Sequence, residues 1–178
     1  MSLTYRNIIL VQDTWDLYKL VSLHKNEHRV LSELFEDSIE SFKQKLYKKL
    51  TFNYFHFKLI SRGNCTSGFM FAYDYKIVDR HMKVFTCLPE SCWNNDFRPI
   101  HIDYLHFLFS YFSIRKIYVE SWNHNCKKAT FYKQQGFQEE TILRNYHYKS
   151  GEYYDHIYYS IDYATFYETN RNELKSYV

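Results

Sequence analysis

Three side chains between Lys116 and Phe137 have the chemistry of a reaction site: a carboxylate at Glu120, an amide at Asn125 and a phenol at Tyr132. A carboxylate accepts protons, an amide donates and accepts hydrogen bonds, and a phenol gives a proton or a hydrogen bond. Each also has a structural interpretation, because Glu120 ends a strand, Asn125 suits a helix N-cap and Tyr132 suits packing against a sheet. The residue types alone leave both interpretations open.

One stretch, Lys116–Phe137, predicts the elements that position these side chains. It opens with apolar residues alternating with polar ones, which is the period of a strand. The Asn-His-Asn run that ends at Asn125 breaks this period with residue types that favour turns and helix N-caps. A short helix carrying Tyr132 follows, and Gly136 ends it because a helix C-terminus often needs a left-handed residue. The stretch therefore predicts strand, turn, helix and strand in succession.

The same stretch resembles the GNAT superfamily of N-acetyltransferases, most of all the branch that acetylates the N-termini of ribosomal proteins. In that branch, a strand of the pattern R-I-x-x-x-V leads to N-x-x-S-x-x-x-Y-x-x-x-G-F. Here Asn125 and Tyr132 hold the Asn and Tyr positions, and Gly136 and Phe137 close the match. Lys128 stands where the branch has Ser, so the contact made by that Ser is missing.

A second block extends the resemblance, because Lys149–His156 reads KSGEYYDH, like the closing hairpin of the branch. The matched blocks cover the last third of the chain well and the middle third loosely. The resemblance implies an α+β protein with the GNAT fold over residues 1–178. In this fold a mixed, mostly antiparallel central sheet is flanked by helices on both faces and is splayed between strands four and five.

The order of elements along the chain agrees with that fold. Apolar stripes predict a helix from about Trp15, a second at Ser38–Leu50, and a buried third at Leu105–Phe112. Alternating patterns separated by turn residues predict the strands that precede the Lys116 strand. These strands are Thr4–Val11, Asn53–Ile60, Ser67–Tyr75 and His81–Leu88.

The resemblance implies acetyl transfer from acetyl-CoA, as co-substrate, to an amine. It makes Tyr132 the general acid that protonates the departing thiolate, and Asn125 a hydrogen-bond partner of the pantetheine arm. Glu120 is a further candidate, as a base acting through water. The resemblance also implies that the fourth strand, the loop before the third helix and the start of the fourth helix hold the coenzyme. The residues concerned are Phe85, Thr86, Cys87, Leu88, Arg98, Ile100, His101, Asn125 and Lys128.

The segment that should bind the coenzyme phosphates departs from the family. The family has Q/R-x-x-G-x-G/A before its third helix, where Gly lets backbone N–H groups reach the pyrophosphate. Counting back from the predicted helix places Pro99 and His101 at the glycine positions. Proline lacks the N–H, and a histidine side chain would crowd the phosphate. Arg98, Lys127 and Lys128 would then supply charge in place of backbone donors.

Two hypotheses follow from these observations. The first is an acyl-CoA-dependent N-acyltransferase with a remodelled phosphate site, which Tyr132 and Asn125 favour. The second is a GNAT-fold protein that has lost coenzyme binding and acts as a binding or regulatory module, which Pro99 and His101 favour. The acceptor stays open among a small-molecule amine, such as a polyamine or an amino sugar, and a protein N-terminus. The acidic residues between His24 and Asp37 suit a cationic amine, although a solvated loop has the same composition.

Composition limits the other classes of function. The net charge of +3 on 178 residues is too small to indicate nucleic-acid binding. The four cysteines form no metal-binding spacing with the histidines, so we expect no metal site and reduced thiols in a cytoplasmic protein. No stretch approaches the roughly 20 apolar residues of a membrane span, so we expect no membrane association. The oligomeric state cannot be predicted from these features.

Overall fold

The computed structural model of the chain describes residues 3–7, 10–24, 29–52, 56–63 and 65–175. The strands within these ranges are β1 (Leu3–Asn7), β2 (His56–Arg62), β3 (Cys65–Lys76), β4 (His81–Cys87), β5 (Lys116–Trp122), β6 (Gln138–Lys149) and β7 (Glu152–Asp162). The helices are α1 (Leu10–His24), α2 (Arg29–Leu34), α3 (Ile39–Phe52), α4 (Arg98–Phe112), α5 (Cys126–Gln134), α6 (Tyr163–Thr169) and α7 (Arg171–Leu174). A short 3-10 helix at Glu90–Cys92 precedes α4.

The strands form a mixed sheet in the hydrogen-bonded order β1-β2-β3-β4-β5-β7-β6. β4 and β5 run parallel, whereas β1–β2, β2–β3, β5–β7 and β6–β7 are antiparallel pairs. Helices flank this sheet. The predicted fold class, a mostly antiparallel mixed sheet with helices in the GNAT order, is confirmed.

The splay next to β5 is visible in the register of its parallel partner. β4 and β5 pair from His81↔Lys116 to Val84↔Val119, and the pairing stops there. Both strands continue beyond that point, β4 to Cys87 and β5 to Trp122. Backbone groups beyond Val84 are therefore released from the β4–β5 ladder, as the fold prediction required.

The chain divides into two compact units, which are described separately. The first comprises the described residues up to Asp74 together with Thr86–Leu88. Its helices α1 and α3 bury the apolar stripes that the sequence predicts, and the buried members include Leu17, Phe42 and Leu46. The second unit comprises residues 75–85 and the described residues from Pro89 onward, and it contains α4, α5, β5, β6 and β7.

Three predicted boundaries are wrong, and a short helix was missed. The first strand ends at Asn7 rather than Val11, and Leu10 already begins α1. The short helix α2 was not predicted, and α4 begins at Arg98 rather than at Leu105. Proline is favoured in the first helical turn because its missing N–H has no intrahelical acceptor there. Predicted positions at residues 8–9, 53–55 and 64 lie outside the described residues.

None of the helices in the described part of the chain is both long enough and apolar enough to cross a bilayer.

Candidate active site

Helix α5 holds Asn125 and Tyr132 in the arrangement that the sequence predicts. The Asn125 side chain caps the helix, because its Oδ1 accepts a hydrogen bond from the Lys128 N–H at 3.2 Å. Gly136 follows the helix with a φ of 93°, a left-handed conformation that glycine adopts cheaply. The structural interpretation of Asn125 as an N-cap is therefore correct. Its contact with the pantetheine arm stays a prediction.

The Tyr132 ring is fully buried in an aromatic cluster. Its centroid lies 5.4 Å from that of Phe137, 5.7 Å from that of Trp93 and 6.2 Å from that of Tyr159. Such contacts fix the ring position through packing alone. The phenol is therefore held rigidly, which a general acid needs and which a structural tyrosine would share.

Lys128 is buried on the same helix, with 8% of its surface exposed. Its Nζ lies 5.2 Å from the ring centroid of Phe85, 5.5 Å from that of Trp93 and 5.8 Å from that of Tyr132. Each distance is within the range of a cation–π interaction. The ammonium thus faces aromatic rings that belong to β4, α5 and the segment before α4.

Arg98 is engaged by protein groups at each of its three nitrogen atoms. Nε donates to Glu173 Oε1 at 3.0 Å, Nη1 to the Gln134 carbonyl at 2.9 Å, and Nη2 to Asn170 Oδ1 at 3.0 Å. These bonds join the start of α4 to the end of α5 and to α7. A structural role for Arg98 is therefore evident, and its predicted role in binding phosphate stays a prediction.

The placement of Pro99 and His101 in a phosphate loop is wrong, because both residues lie in the first turns of α4. The His101 N–H bonds to the Phe97 carbonyl within that helix at 3.0 Å. The N–H groups of Arg98 and Ile100 come too early in the helix to have an intrahelical acceptor. The helix N-terminus therefore offers two backbone donors near residues that the sequence selected for the coenzyme.

The His101 side chain is fully buried, and Nδ1 lies 2.7 Å from Oε1 of buried Gln135. The amide oxygen only accepts, so this contact indicates an Nδ1–H tautomer. Burial lowers the pKa of His101 to about 4, against the hydrogen bond to Gln135, which raises it. His101 is therefore a neutral core residue, and a direct role in binding phosphate stays a prediction.

The pKa of His101 predicts a loss of stability in weak acid. An unfolded imidazole binds a proton near pH 6.5, whereas folded His101 does so only near pH 4, so stability falls as the pH is lowered between these values. This contribution is on the order of 3 kcal/mol at most. His56, with its pKa also lowered to about 4 by burial and Lys58, acts in the same direction.

Urea unfolding of the wild type, His101→Phe and His56→Gln between pH 4 and 7 measures this contribution. Each variant should show a shallower pH dependence than the wild type, with the larger change at fully buried His101. A wild-type pH dependence in His101→Phe would contradict the assignment of a neutral buried imidazole.

The remaining coenzyme candidates lie on β4 or directly after it. Phe85 belongs to the second unit, whereas Thr86, Cys87 and Leu88 belong to the first, and all four are buried. Among the described residues, no hydrogen-bond partner is found for Thr86 Oγ1. Their predicted role, backbone hydrogen bonds to the pantetheine arm, stays a prediction.

A cluster of ionisable side chains occupies β5 and its two neighbours, just where the β4–β5 pairing stops; Glu120 and His156 are buried and Lys83 is half-buried. Glu120 is 9% exposed and follows Val119, the last residue of β5 that pairs with β4. Its Oε2 lies 3.1 Å from His156 Nε2, and its Oε1 lies 3.4 Å from Lys83 Nζ. Neither ring nitrogen of His156 has a hydrogen-bond partner among the described residues, so the two side chains lie in close contact without a formed hydrogen bond.

Aromatic rings surround His156. Its ring centroid lies 4.3 Å from that of Trp122, 4.6 Å from that of Tyr158 and 5.4 Å from that of Tyr146. Burial, and then the charge of Glu120, raise the pKa of Tyr158 to about 12. This environment combines a carboxylate with several ring faces, which suits a cation.

A register shift in β6 contributes Tyr146 to this environment. The β6–β7 pairing jumps from Leu143↔His156 to His147↔Tyr154, so the intervening β6 residues bulge from the ladder. Asn145 adopts a left-handed φ of 51°, and its N–H donates to Asp155 Oδ1 at 2.9 Å. β-Bulges re-aim side chains in this way, often next to active sites.

Sequence reasoning named Glu120 but missed Lys83, Tyr158 and a role for His156. The KSGEYYDH block contains His156, yet the sequence holds no signal that it faces Glu120. The antiparallel register supplies that information, because Glu120 pairs with Tyr158 and Trp122 pairs with His156. Within the described residues, no cluster of three or more His, Cys, Asp and Glu side chains is arranged to hold a metal ion.

Comparison with known proteins identifies both a family and similar structures. Residues 9–158 match the family described as an acetyltransferase (GNAT) domain. Among curated protein sequences, none matches the chain significantly.

Several solved structures of spermidine N-acetyltransferase from Vibrio cholerae share the fold. Mutant forms of this spermidine/spermine N-acetyltransferase give a TM-score of 0.77 at 18% identity, covering 93% of this chain and 98% of that chain. A dodecameric structure in an intermediate state gives a TM-score of 0.76 at 18% identity, covering 96% of this chain and 98% of that chain. The complex with CoA and spermine gives a TM-score of 0.74 at 18% identity, covering 93% of this chain and 98% of that chain. At such identities the similarity establishes the common fold.

Proposed function

The chain belongs to the GNAT family of acetyltransferases, which use acetyl-CoA to acetylate amines, and we propose that its acceptor is a small cationic amine bound beside Glu120. The observation that carries this proposal is the buried pair of Glu120 and His156 at the end of the β4–β5 pairing. A buried carboxylate and imidazole at that point provide a negative charge for the ammonium and a path for its proton.

The amine must lose a proton before it attacks, because an alkylammonium has no lone pair. Glu120 accepts that proton, directly or through water, and His156 next to it passes the proton toward solvent. An imidazole ring has one nitrogen that accepts a proton and one that donates a proton, which makes it suited to this second step. The neutral amine nitrogen then attacks the acetyl carbonyl carbon.

Tyr132 completes the reaction on the other reactant. As the carbon–sulfur bond breaks, its electron pair stays on sulfur, and the Tyr132 phenol protonates the resulting thiolate. The proton lost by the new amide nitrogen restores the phenol. The aromatic cluster around Tyr132 supports this role because it fixes the position of the proton donor.

The acceptor class rests on the surroundings of Glu120 and on the structural neighbours. Trp122, Tyr146 and Tyr158 supply aromatic faces around the Glu120–His156 pair, and such faces attract cations. One neighbour of the same fold is described in complex with CoA and spermine, a polycationic amine. We therefore place polyamines first among the acceptors.

A protein N-terminus is the second candidate acceptor. The KSGEYYDH block of β6–β7 resembles the ribosomal-protein branch and favours this acceptor. A cytoplasmic location suits either acceptor and is supported by the four free cysteines.

Thiol release from acetyl-CoA, measured with a panel of amines, tests the proposal. The panel contains spermidine, spermine, a peptide with a free N-terminus, an amino sugar and a neutral-side-chain amino acid. We expect the highest kcat/KM with a polyamine. Highest activity with the peptide would establish the second acceptor class. No amine-dependent release, together with no heat on titration with acetyl-CoA, would favour the binding-module hypothesis instead.

A further inference from the structure

Lys128 is a buried lysine whose position in the site calls for an explanation. Lysine is rarely buried unless its charge is compensated, because removing an ammonium from water is costly. Here the three ring faces of Phe85, Trp93 and Tyr132 offset part of that cost. An apolar side chain would fill the same space without that cost, so the buried charge itself calls for a function.

The location of the Lys128 ammonium indicates which negative charge it stabilises. Phe85 is the first residue of β4 beyond Val84, where pairing with β5 stops and the pantetheine arm is proposed to bind. Tyr132 is the proposed donor of a proton to the coenzyme A sulfur. The Lys128 ammonium contacts both rings, so it lies between the strand that would hold the arm and the acid that would meet the sulfur.

We propose that Lys128 stabilises the negative charge that develops on the coenzyme A sulfur as the thioester bond breaks. This inference rests on the proposed acetyl transfer and adds a residue to it. The amine nitrogen forms its bond to the acetyl carbon, the carbon–sulfur bond breaks, and the electron pair remains on sulfur. Tyr132 gives its proton to that sulfur, while Lys128 keeps its protons throughout and acts only through its charge.

The physical basis is a charge held fixed in surroundings with little water. An ammonium near a developing anion stabilises it more strongly there than in water, and no reorganisation is needed during the reaction. The family branch that the sequence resembles has Ser at this position, and a hydroxyl supplies only a neutral hydrogen bond. Lys128 therefore places a positive charge at a position where the branch has a neutral side chain.

Lys133, on the same helix, provides a matched control. It lies in the last turn of α5, and its side chain is 57% exposed and lies 3.8 Å from Glu139. Lys133→Met removes the same unit of charge from the same helix and leaves the Lys128 ammonium in place. Lys128→Met removes the buried charge at similar volume, and Lys128→Arg keeps the charge.

The decisive measurement is the pKa of the thiol of bound coenzyme A, followed by the ultraviolet absorbance of the thiolate. We expect the Lys128→Met variant to raise this pKa by about one to two pH units relative to the wild type. The Lys133→Met and Lys128→Arg variants should leave the thiol pKa close to that of the wild type. We also expect kcat to fall about 10- to 100-fold in Lys128→Met and to change little in Lys133→Met.

The melting temperature separates this proposal from a structural role. Lys128→Met keeps the packed volume of the side chain, so a lowered melting temperature with an unchanged thiol pKa would indicate a structural role only. An unchanged thiol pKa in Lys128→Met would overturn the proposal, whether or not the melting temperature falls. Failure of the wild type to bind coenzyme A would be a different result, because it would overturn the proposed function itself.

Discussion

Replacing Tyr132 with Phe is expected to lower turnover by about 10²–10⁴-fold, which is the usual contribution of a general acid. The substitution removes the hydroxyl and leaves the ring. The ring makes the packing contacts with Trp93, Phe137 and Tyr159, so the fold and the affinity for acetyl-CoA should be retained. The loss should appear equally in kcat and kcat/KM, as for an interaction made mainly in the transition state.

Tyr159→Phe is the control for this experiment. Tyr159 is another buried tyrosine of the same cluster, 1% exposed, and it lies on β7 rather than on α5. Its hydroxyl has no proposed role, so the variant should retain nearly full activity. Equal rates for the wild type and Tyr132→Phe would remove Tyr132 from the mechanism. A lower melting temperature at an unchanged rate would show that its hydroxyl has a structural role.

The unit from β5 to Gly136 could be predicted because its signals are local. The alternation of β5, the cap at Asn125 and the glycine after α5 each act over a few residues, and the structure places all three as expected. Local signals of this kind rest on backbone preferences, which hold in almost any tertiary setting. The order of the elements and the parallel β4–β5 pair then followed from the family resemblance.

The start of α4 was missed because the same local signal has two meanings. Proline indicates a loop in most positions but is favoured in the first turn of a helix, and Pro99 is of the second kind. The expectation of a phosphate loop led to the wrong choice. His101 was consequently placed in the phosphate loop, whereas its side chain is fully buried and contacts Gln135.

The cluster around Glu120 and the inward direction of the Lys128 side chain could not be predicted from the sequence, for a different reason. Glu120, His156 and Lys83 come from three strands, and only the register of the sheet brings them together. Lys128 was assigned to phosphate from its charge alone, since lysine on a short helix is ordinarily exposed. Its inward direction depends on the rings of Phe85 and Trp93, which are distant in sequence.

Replacing Glu120 with Gln is expected to lower kcat/KM by about 10²–10⁴-fold at neutral pH, because the amine then lacks its proton acceptor. The amide has nearly the same shape as the carboxylate but carries no charge. The variant depends on the small fraction of acceptor that is already neutral, since an alkylammonium has a pKa of about 10.4. Its rate should therefore rise about tenfold per pH unit on the alkaline side, where the wild type has levelled off.

This pH dependence distinguishes a proton acceptor from a residue that only binds the ammonium. If Glu120 merely binds the cation, Glu120→Gln will raise KM and leave the shape of the pH profile unchanged. The matched control is Glu139→Gln, since Glu139 is an exposed carboxylate of β6, 3.8 Å from Lys133, and should have no effect. His156→Asn should reproduce part of the loss, because the imidazole 3.1 Å from Glu120 passes the proton onward. A Glu120→Gln variant with wild-type kcat/KM across the pH range would remove both residues from the mechanism, while leaving Tyr132 as a separate question.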